Sequence, residues 1–487
     1  MLRGFMITVF NSLSRSKEEF VPSSPSHIGI YLCGPTVYSE SHLGHGRTGV
    51  SFDVIRRWFT HRGFSVRFVS NITDVGHITT ETDDDGIDRI GQRAKLEQLE
   101  PMEIADKYMW GYFRDLEALG VQKPSITPRA TGHILEQIEM VQRLIERGHA
   151  YERGGNVYFR VRSFPKYGQL SGKKIDDLEH GSREDVREDK DDPLDFALWK
   201  FAEPEHIMRW NSPWGQGFPG WHIECSAMAL KYLGEGFDIH AGGLDIQFPH
   251  HEAEIAQAEG AGYQFAKYWL HGNMLTIGGE KMSKSKGNFI TLADFYSQKA
   301  EPMVLRLAFI QSHYRSIAEL SDETVEGAKT ALSRLREVKR ELERRIVDAP
   351  NGTDAKLEAA ITRATTEFEN ALDDDFNTPK ALAAVFDLTR EVNTALTNNA
   401  ARASLEKALG FYNTFVGGVL GLYHAPQQSA QSDANLLEGL MQIAIEARGV
   451  YRQNRDFSRS DGLRDRLKAL GLTLEDTASG TRWKLEG

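Results

Sequence analysis

Two short apolar runs, at residues 28–32 and 66–69, flank a glycine-punctuated turn and a helical stretch within the first seventy residues. Each run is short enough for a buried strand. Between them Val50, Phe52, Val54, Ile55 and Phe59 keep helical spacing, and Arg62-Gly63 closes that stretch. Strand, helix, strand in about 40 residues predicts a parallel sheet of the dinucleotide-binding type. Strand signals return at residues 237–241 and 268–271, so the sheet is expected to be split by an insertion at about 125–205. Within it, residues 173–192 are crowded with charge and read as a solvated loop.

Beyond about residue 316 the pattern is helical. Val325, Ala328, Leu332 and Leu335 keep the spacing, as do Leu357, Ile361, Ala364 and Phe368, and then Leu382, Val385 and Val392. An antiparallel bundle follows from this, with Thr378 as a cap and Pro379 as a first helical residue. Residues 424–435 are polar and read as a linker. In the tail, Leu463, Leu467 and Leu470 space a helix that Gly471 ends. The predicted domains are 1–315, an α/β nucleotide-binding unit; 316–425, a helical bundle; and 430–487, a small C-terminal module. A chain of 487 residues accommodates that many cores.

Composition narrows the function. Two cysteines, Cys33 and Cys225, exclude a disulfide framework. A net charge of −11 argues against indiscriminate nucleic-acid binding and leaves room for a local basic patch. The first residues lack the apolar core of a secretory signal, and no apolar run reaches the roughly 18 residues of a membrane span, so a cytoplasmic protein is expected.

Three constellations carry chemistry. His42, Gly44 and His45 lie at a strand-to-helix junction, where helix N–H groups favour phosphate. Capping histidines are the bland alternative for that pair alone. Lys281-Met282-Ser283-Lys284-Ser285, flanked by glycines, reads as a polyphosphate clamp or, alone, as a solvated basic loop. The third group is Cys33, Cys225, His250 and Glu254. Two thiols, an imidazole and a carboxylate suit zinc, although His251 or Glu252 could replace its neighbour, and isolated cysteines are often small buried hydrophobes.

The His-x-Gly-His turn followed by Lys-Met-Ser-Lys-Ser resembles class I aminoacyl-tRNA synthetases, with Leu43 where isoleucine is commoner. Residues 71–74 (NITD), 220–226 (GWHIECS) and 236–243 (GFDIHAGG) extend that resemblance to the cysteinyl-tRNA synthetases over nearly the whole chain. It implies one Zn²⁺ per chain on Cys33, Cys225, His250 and Glu254, and a cysteine pocket lined by Thr73, Trp221, His240 and Asp245. His42, His45, Lys281 and Lys284 would serve the transition state of adenylate formation, with Gly44 and Lys284 against ATP and Mg²⁺ bridging its phosphates. The implied partners are L-cysteine, ATP and tRNA(Cys), and the implied state is a monomer. In the tail the resemblance makes Arg452, Phe457, Asp461 and Asp476 anticodon contacts. Two rivals are a cysteine ligase acting on an amino-sugar by the same adenylate chemistry and a paralogue without catalysis.

Overall fold

The structure, a computed structural model, describes residues 6–75, 89–175, 189–204, 206–282, 289–423, 430–477 and 480–485. It divides into two units, Met1–His424 and Ala425–Gly487.

In the first unit four strands form the central sheet, and every pairing within it is parallel. Their spatial order is Tyr268–Gly272, Ile239–Gly243, His27–Leu32, Ser65–Ser70. The chain leaves His27–Leu32 toward one edge and later returns on its other side. The carboxyl ends of His27–Leu32 and Ile239–Gly243 therefore flank a topological switch point, where open α/β sheets bind ligands. Cys33 prolongs the first of these strands, its N–H donating to Ala241 O at 3.0 Å. Gly34 then passes so close to the next strand end that a Cβ there would lie 1.7 Å from Asn71 O, and its N–H is held by Asn71 Oδ1 at 2.9 Å. Only glycine fits this crossing.

The helix Leu43–His61 buries Val50, Phe52, Val54, Ile55, Trp58 and Phe59, and Gly63 in the left-handed region (φ 93°) turns the chain into the second strand. It is pinned from behind by fully buried Arg306. That guanidinium donates to Asp53 Oδ2 at 2.6 Å, Leu119 O at 2.8 Å and Leu420 O at 2.7 Å.

The insertion contains the helix Ile134–Glu146 and an antiparallel sheet in the order Ala150–Arg153, Asn156–Phe159, Phe196–Phe201, Gly215–Pro219, Trp210–Ser212. It thus runs past the expected end near 205, to Pro219. Of the charged stretch 173–192, residues 176–188 lie outside the described residues. Its described end is not simply solvated: Asp189 accepts from Tyr158 Oη at 2.7 Å, and Asp191 from Arg153 at 2.8 Å.

Helices Asp322–Ile346, Ala355–Asp373, Thr378–Thr397 and Arg402–Phe411 follow. Asn377, not Thr378, is the cap: its side chain accepts from Lys380 N at 3.1 Å, which shifts Thr378 and Pro379 into the first turn. In the second unit Ala430–Gln453 is helical, so residues 430–435 are not linker; residues 424–429 lie outside the described set. Phe457–Ala469 follows and Gly471 (φ 79°) ends it, before a hairpin of Leu472–Thr477 and Gly480–Leu485. No helix among the described residues is long and apolar enough to cross a membrane.

One buried carboxyl yields a pH prediction. Burial pushes Asp115 up to about 6. A folded-state value above the unfolded one means that the ionised form is penalised only in the folded protein, so Asp115 erodes stability as pH rises from about 4 to about 6. Asp115→Asn is expected to raise Tm at pH 7, with the difference vanishing by pH 4; thermal melts at both pH values check this.

Candidate metal centre and adjoining cleft

Three separated segments meet at the switch point. Cys33 ends a strand. Cys225 sits in the helix Trp221–Leu233, whose start is fixed by Gly220: a Cβ there would lie 2.1 Å from Ala197 O. His250 lies in the kinked turn Gln247–His251, where Phe248 is extended, and Glu254 in the helix Glu252–Gly260 that follows it.

One donor atom from each of Cys33, Cys225, His250 and Glu254 falls within 4.8 Å of every other. The two Sγ atoms are 3.9 Å apart, Cys33 Sγ is 3.6 Å from Glu254 Oε1, and His250 Nε2 is 3.1 Å from that oxygen. A tetrahedral zinc with bonds of about 2.3 Å to sulfur and about 2.1 Å to oxygen requires S···S edges of ~3.8 Å and S···O edges of ~3.6 Å. The donor set fits such an ion in spacing and in chemistry. Both cysteines are free. Burial, and then the neighbouring Cys225 and Glu254, push the Cys33 thiol well above its usual range; burial likewise raises Cys225. A bound dication reverses that balance.

A second layer orients these donors. His222 Nδ1 lies 2.8 Å from His250 Nδ1, which leaves Nε2 of His250 facing Glu254. His240 Nε2 lies 2.8 Å from Glu254 Oε2, so one carboxylate oxygen is occupied and the other faces the sulfurs. Ser12 Oγ, His271 and His251 form a chain with 2.8 Å links that ends with His251 Nε2 at 3.3 Å from Cys33 Sγ. Donor atoms of Cys33, His240, His251 and Glu254 likewise lie within 4.8 Å of one another, but that set lacks Cys225. Glu252 points away, accepting from Ser171 N at 2.8 Å and Ser171 Oγ at 2.9 Å.

Beside this cluster opens a cleft of about 330 Å³ lined by Cys33, Gly34, His42, Gly44, His45, Tyr112, Asp245, Met274 and Phe289, among others. His42 caps the Leu43–His61 helix, its Nδ1 accepting from Gly44 N at 3.1 Å, and His45 Nδ1 accepts from His42 N at 3.3 Å. The capping alternative is therefore true of both rings, and it does not compete with a role in the cleft. With Nδ1 accepting, each neutral ring carries its proton on Nε2. The rings stack with centroids 3.7 Å apart. Burial, and then His42, push His45 well below the usual histidine range, so at pH 7 it is a neutral donor rather than a cation.

The structure places the remaining expected residues as follows. Thr73 Oγ1 donates to buried Glu224 Oε2 at 3.0 Å, and the Trp221 ring stacks on His250 at 4.3 Å. His240 and Thr73 are buried behind the cluster, whereas Asp245 lines the cleft. Lys281 ends a short strand, Glu280–Lys281; Lys284 lies outside the described residues. In the second unit Arg448, which no sequence pattern singles out, and Arg452 both hold Asp476, at 2.7 and 2.9 Å. Phe457 and Asp461 are exposed on the surface of that unit.

The family described as tRNA synthetases class I (C) catalytic domain matches residues 19–330, and the DALR domain matches 367–424. A Cysteine--tRNA ligase of Deinococcus radiodurans is 58% identical over 98% of this chain and 96% of that protein. The chain belongs to the cysteinyl-tRNA synthetases. A second member, from Thermus thermophilus, is 54% identical over 99% of both chains. Mycobacterium tuberculosis methionyl-tRNA synthetase bound by methionyl-adenylate superposes with a TM-score of 0.61 at 15% identity, over 84% of this chain and 96% of that one; this likeness is one of fold.

Proposed function

We infer that this cysteinyl-tRNA synthetase activates L-cysteine with ATP and transfers it to the 3′ end of tRNA(Cys), with one zinc ion held by Cys33, Cys225, His250 and Glu254. The observation that carries the reading is the convergence of both cysteines with His250 and Glu254 beside the cleft that Cys33, His42 and His45 line. This set is preferred to the one with His240 and His251 because it contains both sulfurs, the donors zinc favours, and because those two histidines each lie within hydrogen-bonding distance of a member of it. Bound there, zinc supplies a thiophilic position for the substrate sulfur, which distinguishes cysteine from serine where shape alone gives only about a hundredfold.

In the first step the cysteine carboxylate attacks the α-phosphorus of ATP and pyrophosphate leaves, with Mg²⁺ on the phosphates. His42 and His45 donate from Nε2 to the developing charge, Gly44 lets the nucleotide approach the backbone, and Lys281 and Lys284 supply positive charge. Thr73, Trp221, His240 and Asp245 position the amino acid: His240 by holding Glu254, Trp221 by packing on His250, Asp245 from the cleft wall. In the second step a hydroxyl of the terminal ribose attacks the adenylate carbonyl and AMP leaves. Residues 1–315 carry this chemistry, 316–425 form the connecting bundle, and 430–487 read the anticodon. An amino-sugar acceptor is not favoured, since the similarity to Cysteine--tRNA ligases runs through the whole tail.

Aminoacylation with cysteine, serine and tRNA tests the reading. Cysteine charging is expected to be lost on chelation and restored by zinc, with serine inert. Charging that persists without metal, or seryl-tRNA formed at a comparable rate, would overturn it. For the tail, Asp461→Ala is expected to lose tRNA charging while keeping ATP–pyrophosphate exchange; equal loss of both contradicts the assignment. Asp476 is a poorer probe of RNA contact, because its pairing with Arg448 and Arg452 ties the hairpin to the helix Ala430–Gln453.

A further inference from the structure

Tyr31 precedes Cys33 by two residues on the same strand, and its side chain is fully buried. Its ring lies 5.1 Å from that of His240, and its hydroxyl faces the Cys225 thiol. Among the described residues that hydroxyl finds no hydrogen-bond partner of ordinary geometry. A buried O–H without an acceptor is costly. A neutral thiol is a weak acceptor, whereas a thiolate is a strong one. With a metal on Cys225 the sulfur is a thiolate, and the partnerless hydroxyl then has an acceptor.

The two sulfurs are not served alike. Cys33 already has a neighbour able to donate to a thiolate, His251 Nε2 at 3.3 Å, backed by His271 and Ser12. Once both sulfurs are thiolates, the 3.9 Å contact between them can no longer be a hydrogen bond. Tyr31 is then the hydroxyl against Cys225.

We propose that Tyr31 donates a hydrogen bond to the Cys225 thiolate in the metal-bound enzyme, and is thereby a positioning residue that sets the donor strength of that sulfur. The inference rests on the zinc reading above. A hydrogen bond on a thiolate draws off electron density, so less charge passes to the metal and the metal remains a better acceptor for a further sulfur. It also stabilises a site with three anionic donors around one dication.

The test uses the full chain with Co²⁺ in place of zinc, comparing wild type with Tyr31→Phe, which removes one buried oxygen and keeps the ring. Both should bind one cobalt per chain. The thiolate-to-cobalt charge-transfer band of the variant should move to lower energy, and zinc affinity in competition with a chromophoric chelator should fall about 10- to 100-fold. Fluorotyrosine at position 31, a stronger donor of nearly the same size, should move the band the opposite way and covers the case in which Tyr31→Phe does not fold. A band unmoved by the substitutions, with zinc affinity unchanged, overturns the inference. Wild-type protein that holds neither metal would instead remove the zinc reading, and this inference with it.

Discussion

Cys225→Ala is expected to leave the chain folded, to bind no stoichiometric zinc, and to slow cysteine-dependent ATP–pyrophosphate exchange by about 10³-fold or more. The side chain is buried and alanine is the smaller residue, so the loss of packing is about 1 kcal/mol, modest against the whole. The donor set, by contrast, is left with one sulfur, one imidazole and one carboxylate, and Tyr31 loses the group its hydroxyl faces. About 4 kcal/mol of lost transition-state stabilisation corresponds to the stated factor. Circular dichroism and a thermal melt separate this outcome from unfolding. Retained exchange in a zinc-free variant would contradict the assignment of Cys225.

His45→Ala is expected to lower kcat for the same exchange by about 10²–10³-fold, with the KM for ATP changed only a few-fold. The argument is the state of the ring. His45 is held neutral by burial and by His42, its Nδ1 is occupied by the backbone of His42, and the proton it can offer is on Nε2. A neutral donor contributes where charge grows, not where substrate first binds. His45→Asn, which keeps an N–H donor, should recover part of the loss. A raised KM with kcat intact would mean that His45 only binds ATP. Because the imidazole stays neutral well below the usual histidine range, protonation of His45 should not produce an inflection near pH 6.5 in the exchange profile.

Much of the fold is legible in the sequence because its signals are local. The run at 28–32 corresponds to the strand His27–Leu32, and the helical spacing through Val50, Ile55 and Phe59 to the helix Leu43–His61. The cap at Asn377 lies one residue before the expected one: asparagine and threonine both cap, and the choice depends on the turn before them, Asp375 and Phe376 both having positive φ. The antiparallel sheet of the insertion is not evident from periodicity, yet Gly154-Gly155 between Ala150–Arg153 and Asn156–Phe159 is a hairpin signal that could have revealed its first two strands. Trp210–Ser212 and Gly215–Pro219 form a second tight hairpin, whereas Phe196–Phe201 pairs with Asn156–Phe159 across a long stretch of chain, which periodicity does not encode.

The four residues of the candidate metal centre are legible as residue types. Their surroundings are not. His222 and His251 face the cluster from a helix start and a kinked turn, and His271 backs His251 from a strand; two of the three are more than two hundred residues from Cys33, and no spacing rule links them. Tyr31 reads as an ordinary strand aromatic. Its significance lies in a hydroxyl with no ordinary acceptor beside Cys225.

X-ray absorption at the zinc edge, on the full chain with and without L-cysteine, addresses the central claim most directly. The account predicts one zinc per chain with two sulfur neighbours at about 2.3 Å in the free enzyme, rising to three when cysteine is added and staying at two with serine. A sulfur count that does not change on addition of cysteine, or a chain purified without zinc and fully active, would contradict it.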